Sequence, residues 1–304
     1  MEQETKVEFF KNRTIGERFA ASGDFIRQNW KVLLKNLAYI GVPLTLIVGF
    51  FSPYYLQNIL QMVISPYAPL PPQNYGMTLL FISFSGLLLL FLYSMTGSIL
   101  NRYIKGSLTE ETGWSDLSGN MFSFAGKILI QWLILMLGFF VLGIILSVLF
   151  GFSMLGGSPA MAGFVSLLII ILVIVLIPPL ILVIFPVFFE GASALEGIKK
   201  GFRLGFKYWG STFLTVFLGS LLAMVVSYIL AMPFSFYFIT HLGTEIGLGT
   251  EIGLTGFLLI LLPCLCSLII YPVFIVFCGL QYTSILENEE GVSLQNKMEE
   301  FDNL

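Results

Sequence analysis

Only one histidine, His241, and three cysteines occur in this chain of 304 residues, and charged residues make up 11 % of it. Soluble domains carry about 25 % charged residues. Charge is missing most completely in long tracts. No Asp, Glu, Lys, Arg or His occurs from Asn36 to Asn101, from Ile128 to Phe189, or from Ile252 to Leu286. A charged side chain at the bilayer centre costs roughly 2.5 to 3.5 kcal/mol on insertion scales, so tracts of this kind are what a membrane selects.

The same absences exclude most catalysis. A general acid and base pair has no titratable residues to use inside the apolar tracts. No His-Glu-x-x-His, Gly-x-Ser-x-Gly, P-loop or dinucleotide fingerprint is present. His241 stands near Glu245 and Glu251; a solvated loop end explains the group more economically than a metal site. Cys264, Cys266 and Cys278 all fall in the last apolar segment without a ligand-spaced His or acid, and read as buried thiols packing as small hydrophobes. The expectation is a non-enzymatic chain with no cofactor, no metal and no nucleic-acid partner.

What is present is apolar residue, 57 % of the chain, with a mean hydropathy of +0.90. Counting about 20 residues per span gives an all-α polytopic membrane protein of six transmembrane helices, near 37–56, 77–100, 128–155, 160–189, 211–240 and 256–286. Residues 1–36 form an amphipathic segment before them and 287–304 a tail. The first 35 residues carry seven basic and five acidic side chains and show no signal-peptide pattern, so the first span is expected to act as its own insertion signal. Loops separate the spans: one rich in proline (Pro66, Pro69, Pro71, Pro72), a turn at Gly156-Gly157-Ser158-Pro159, and one rich in glycine from Gly243 to Gly253.

All 15 Lys and Arg residues fall in the amino-terminal segment, the 101–127 loop, the 190–210 loop and the tail, and none in the other three loops. That split fits an even number of spans with both termini in the cytoplasm. Trp30, Trp114 and Trp209 sit in or beside the basic segments, where indole rings anchor at headgroup level.

Thr14-Ile15-Gly16-Glu17 and Ser193-Ala194-Leu195-Glu196 read as capping boxes, each opening an amphipathic helix. In the second, Leu195, Ile198, Phe202 and Trp209 form an apolar stripe opposite Glu196, Lys199, Lys200, Arg203 and Lys207. Both helices are expected to lie in the interface plane at the cytoplasmic surface, with Lys199, Lys200, Arg203 and Lys207 contacting lipid headgroups. The two segments align at a constant offset, Thr14 with Ser193, Glu17 with Glu196 and Trp30 with Trp209, which suggests a degenerate repeat of three hairpins with a poorer copy at Trp114-Ser115-Asp116. The tandem hexapeptide at 242–253 reads as a neutral duplication.

The Thr14-to-Phe19 start followed by Phe25 to Lys31, the central Glu190 to Lys200 run leading to Trp209, and the closing Leu280-Gln281-Tyr282 with Glu290 to Leu294 resemble a bacterial superfamily. It is the membrane domain attached to some glycerophosphoryl diester phosphodiesterases, found also as free-standing integral membrane proteins. In those phosphodiesterases hydrolysis belongs to a separate soluble barrel with His, Glu and metal ligands. No such barrel lies within these residues, so the resemblance implies a membrane module and not the activity.

Two functions stay open. The favoured one is a non-enzymatic module in membrane or envelope physiology, with membrane lipids and a possible partner protein as its partners. The alternative is a transporter-like carrier of a neutral or amphipathic molecule, to which Pro178, Pro179, Pro186, Pro263 and Pro272 would contribute broken helices. Small residues every fourth position mark helix-packing candidates: Gly219, Ala223 and Ser227 in the fifth span, Gly143 and Ser147 in the third. Contacts within the chain are the simpler expectation, and a homodimer face the other.

Overall fold

A computed structural model describes residues 6–64, 75–155, 159–245 and 254–292. Among them the secondary structure is all helical: α1 (Ile15–Ile64), α2 (Tyr75–Ile104), α3 (Trp114–Leu155), α4 (Pro159–Leu182), the single turn α5 (Phe185–Phe189), α6 (Ala194–Lys207), α7 (Trp209–Glu245) and α8 (Leu254–Glu290). Six of these are long and apolar enough to cross a membrane. The proline-rich loop, the Gly156 to Ser158 turn, the tandem hexapeptide from Ile246 onward and the tail with Lys297 lie outside the described residues.

The capping boxes are formed. Thr14 N–H donates to Glu17 Oε2 at 2.7 Å while Glu17 N–H donates to Thr14 Oγ1 at 3.4 Å. Ser193 and Glu196 make the same reciprocal pair at 2.9 and 3.4 Å. At the third start only one half is seen, Gly113 N–H donating to Asp116 Oδ2 at 2.9 Å.

The helix opened by the first cap is not the short amphipathic one expected. Helix α1 runs unbroken for 50 residues, so the amphipathic segment up to residue 36 is one rod with the first span and not a separate helix. The reason is local: no Gly or Pro interrupts the chain from Asp24 to Ile40, and nothing there stops a helix once started. Helix α6 does stand alone. Gly191, at φ +70°, supplies the left-handed turn before it, and Tyr208, at φ −109° and ψ 34°, ends it before α7.

The chain forms two compact units. The first comprises Met1–Ala21, Phe122–Leu218 and Phe277–Leu304; the second Ser22–Met121 and Gly219–Val276. In the second unit Phe25, Leu92, Met95, Ile99, Leu100 and Leu117 are fully buried. Asn36 is enclosed there too, its amide donating to Thr112 O at 3.2 Å and Val32 O at 2.9 Å.

In the first unit the fourth apolar run is broken at Val183 and Ile184, between Pro178 and Pro179, which stay inside the helix, and Pro186 beyond it. Pro179 has no N–H to offer the carbonyl of Val175, and the indole Nε1–H of Trp209 donates to that oxygen instead, at 3.0 Å. Helix α4 ends at Leu182, and Pro186 sits in the first turn of α5. The carbonyl of Val183, at the break, accepts from Gln131 Nε2 at 2.9 Å, and the same amide donates to Ala194 O at 3.3 Å. Free carbonyls at a helix break in a membrane need such partners, and neighbouring side chains provide them here. Helix α8 continues through Pro272 without interruption.

Candidate functional site

Helix α6 carries three faces. Ala194, Gly197, Gly201, Leu204 and Gly205 are buried, Leu195 and Phe206 are exposed, and Lys199 and Arg203 are exposed on the remaining side. The two-faced helix read from the sequence thus has its glycines as a third surface, and this is the one that packs. A Cβ on Gly201 would lie 2.5 Å from Val183 Cα, and one on Gly205 2.3 Å from Pro179 Cα. The helix is seated directly on the backbone of the proline break. Glycine every fourth residue is the pattern that allows such approach.

The polar face is fixed by acids from elsewhere in the unit. Lys200 Nζ bridges Glu190 Oε2 at 2.8 Å and Glu290 Oε1 at 2.7 Å, and Lys207 Nζ lies 2.5 Å from Glu289 Oε1. Tyr282 donates its hydroxyl to Glu190 and Tyr208 donates to Glu289. Burial pulls the Lys200 ammonium down, but hydrogen bonds and charge from Glu190 and Glu290 outweigh it and leave it above the usual lysine range. A hydrogen bond to Glu289 raises Lys207 and Tyr208 likewise. Hydrogen bonds from the Ser193 amide and hydroxyl hold the Glu196 carboxylate below its usual range. Lys127 closes the preceding turn by donating to Gly191 O at 2.8 Å and Ala192 O at 3.0 Å.

Of the four basic residues expected at headgroups, two are therefore paired with acids of the protein itself. Lys200 is partly buried between two carboxylates and Lys207 is paired with a third, because Glu190, Glu289 and Glu290 converge on α6 from its own approach and from the end of α8. Lys199 and Arg203 have no ion pair within 4 Å among the described residues.

The packing candidates divide as well. Gly219 is buried. Ala223 and Ser227 instead line a cavity of about 580 Å³ in the second unit, with Ser85, Ser220, Ser267 and Tyr271. Gly143 and Ser147 are exposed, and a Cβ on Gly143 would meet nothing within 4 Å. The close intramolecular approach expected there is absent, because no neighbouring helix among the described residues covers that stretch of α3.

A second groove in the same unit, of about 300 Å³, is almost wholly apolar, lined by Trp30, Leu33, Leu37, Ala38, Leu268 and Pro272 among others. Trp30 is 53 % exposed at its edge.

Reading the sequence missed Gly197, Gly201 and Gly205, although their spacing is visible in it. It also missed Gln131 and Glu289; no local pattern marks these, since their roles depend on segments distant in the chain. Comparison with models of known families, with curated proteins and with solved structures finds no match.

Proposed function

We propose that this chain is a non-enzymatic lipid-associated module of a bacterial inner membrane, with both termini in the cytoplasm. The observation that carries the reading is the three-way division of α6. With its glycine face locked onto α4 and its Lys200 side latched by acids, the helix leaves an apolar edge (Leu195, Phe206) beside two uncommitted cations (Lys199, Arg203). That combination suits the boundary between acyl chains and anionic headgroups, where a basic side chain contributes about 1 kcal/mol. The apolar groove beside Trp30 suits an acyl chain. The resemblance to the membrane domain of glycerophosphoryl diester phosphodiesterases supports a role alongside a soluble partner.

Lipid retention tests the reading. Native mass spectrometry of the purified protein should show anionic phospholipid bound to the wild type and largely lost from K199E/R203E, with folding and insertion kept. Unchanged retention in that variant would remove lipid recognition by α6.

The orientation is tested separately. A cysteine replacing Ser65 or Thr250, in a background without the native thiols, should react with an impermeant maleimide added to intact cells, and one replacing Ser107 or Asn288 should not. The opposite labelling would overturn the placement of the termini.

One observation favours a second reading, a carrier of a neutral or amphipathic molecule. The 580 Å³ cavity presents the hydroxyl-bearing residues Ser85, Ser220, Ser227, Ser267 and Tyr271 and, among the described residues, no Asp, Glu, Lys, Arg or His. Solute-specific flux in proteoliposomes that survives K199E/R203E would promote the carrier over the lipid module.

A further inference from the structure

Arg18 stands in the first turns of α1, is 7 % exposed, and has no carboxylate within 4 Å among the described residues. Its two terminal nitrogens donate to hydroxyls only, Nη1 to Thr215 Oγ1 at 3.3 Å and Nη2 to Ser284 Oγ at 3.4 Å. Both bonds are long for a guanidinium, and Nε has no partner among the described residues. The charged groups whose fields reach it are Arg13, which repels it, and Glu17, which is exposed and engaged with Thr14. An arginine stays charged in a protein, and a buried charge without a counter-charge costs several kcal/mol.

The surroundings are polar but neutral. Thr212, Thr215 and Ser284 are fully buried and Gln281 nearly so. Gln281 Nε2 donates to Ser211 Oγ at 2.9 Å and Thr212 Oγ1 at 3.1 Å, while Thr215 Oγ1 donates to Ser211 O at 2.9 Å and lies 3.2 Å from Gln281 Oε1. Over this cluster passes the non-helical strap before α1. Arg13 N–H donates to Ser284 Oγ at 3.3 Å, and the Phe9 and Phe10 rings lie 6.2 and 6.4 Å from that of Phe189. One fixed positive charge, an orphaned N–H and the weakly engaged Ser284 hydroxyl, lying under a short strap, make a donor set for an oxyanion.

We infer that the buried cluster of Arg18, Thr215 and Ser284 binds an anion of the phosphate class, free in solution or as the headgroup of an anionic lipid. Arg18 supplies the charge and a forked pair of N–H donors, and Ser284 turns its hydroxyl from Asn12, to which it donates at 3.4 Å, toward the anion. The inference is independent of lipid recognition by α6, since none of the residues involved belongs to that helix.

Thermal unfolding of the full chain in nanodiscs tests it, at constant ionic strength. One arm uses neutral phosphatidylcholine discs with added inorganic phosphate; the other uses phosphatidic acid discs with no free phosphate. A ligand bound only by the folded state at 100 times its Kd stabilises by about 2.7 kcal/mol, so a rise of several degrees in Tm is expected in one arm or both. A rise with inorganic phosphate identifies a free anion, and a rise confined to phosphatidic acid identifies a headgroup. R18M should abolish the gain and K199E/R203E should keep it, which separates this site from α6. Should R18M fail to fold, R18K retains the charge without the fork and should show a smaller gain. No gain in either arm for the wild type, or a full gain retained in R18M or R18K, would overturn the site.

Discussion

Gly205→Ala is expected to leave little folded protein, as judged by monodisperse yield and Tm in detergent. The added methyl would stand 2.3 Å from Pro179 Cα and 2.7 Å from its nitrogen, both backbone atoms of a segment already held at its break. A flexible side chain could swing away; a proline backbone cannot. Overpacking of this kind costs about 1 to 3 kcal/mol where neighbours can adjust, and more where they cannot. Gly143→Ala, with nothing within 4 Å of its Cβ, should be silent or slightly stabilising through helix propensity. Equal behaviour of the two variants would show that α6 does not rest on α4 as described.

Lys200→Glu should have the second largest effect, and its remedy should lie on α8. Reversal would place three carboxylates together where an ammonium now bridges two, with the Lys200, Glu190 and Glu290 side chains 18 %, 31 % and 39 % exposed. Losing the bridge should cost an amount between the roughly 0.2 to 1 kcal/mol of exposed pairs and the 3 to 5 kcal/mol of buried ones, and repulsion adds to it. The double variant K200E/E290K restores one opposite pair and should recover much of the lost Tm. No recovery, with K200E as damaging as before, would show that the bridge to Glu290 is not what holds α6.

The parts of the fold that are legible in the sequence are those with local causes. The caps at Thr14 and Ser193 need only residues three apart, and six spans need only the absence of charge. Pro178, Pro179 and Pro186 announce the break after α4. The continuity of α1 is harder to see, because its likeness to the α6 segment suggests a matching break, whereas nothing between Trp30 and Leu37 ends a helix. The packing face of α6 is hidden because glycine adds neither hydrophobicity nor charge, so an apolar stripe and a basic stripe together look like the whole circumference.

The partners of Lys200 are not legible at all, because they lie 10 and 90 residues away along the chain. The same holds for Arg18, which counts as one more basic residue in a basic segment until α7 and α8 close over it, with Ser284 266 residues distant. At Gly143 and Ser147 spacing alone suggests a contact, and spacing says nothing about whether a second helix comes near.

The pairing of Val175 with Trp209 also sets an order in time. The carbonyl orphaned by Pro179 waits for an indole made 34 residues later, which at about 5 to 20 residues per second is an interval of roughly 2 to 7 s during synthesis. Throughout that interval the Val175 carbonyl lacks its indole partner, and the α4 segment becomes a finished element only when the ribosome has delivered α6 and the first residue of α7. A chain arrested just before Trp209 should therefore hold a fourth span that is still provisional.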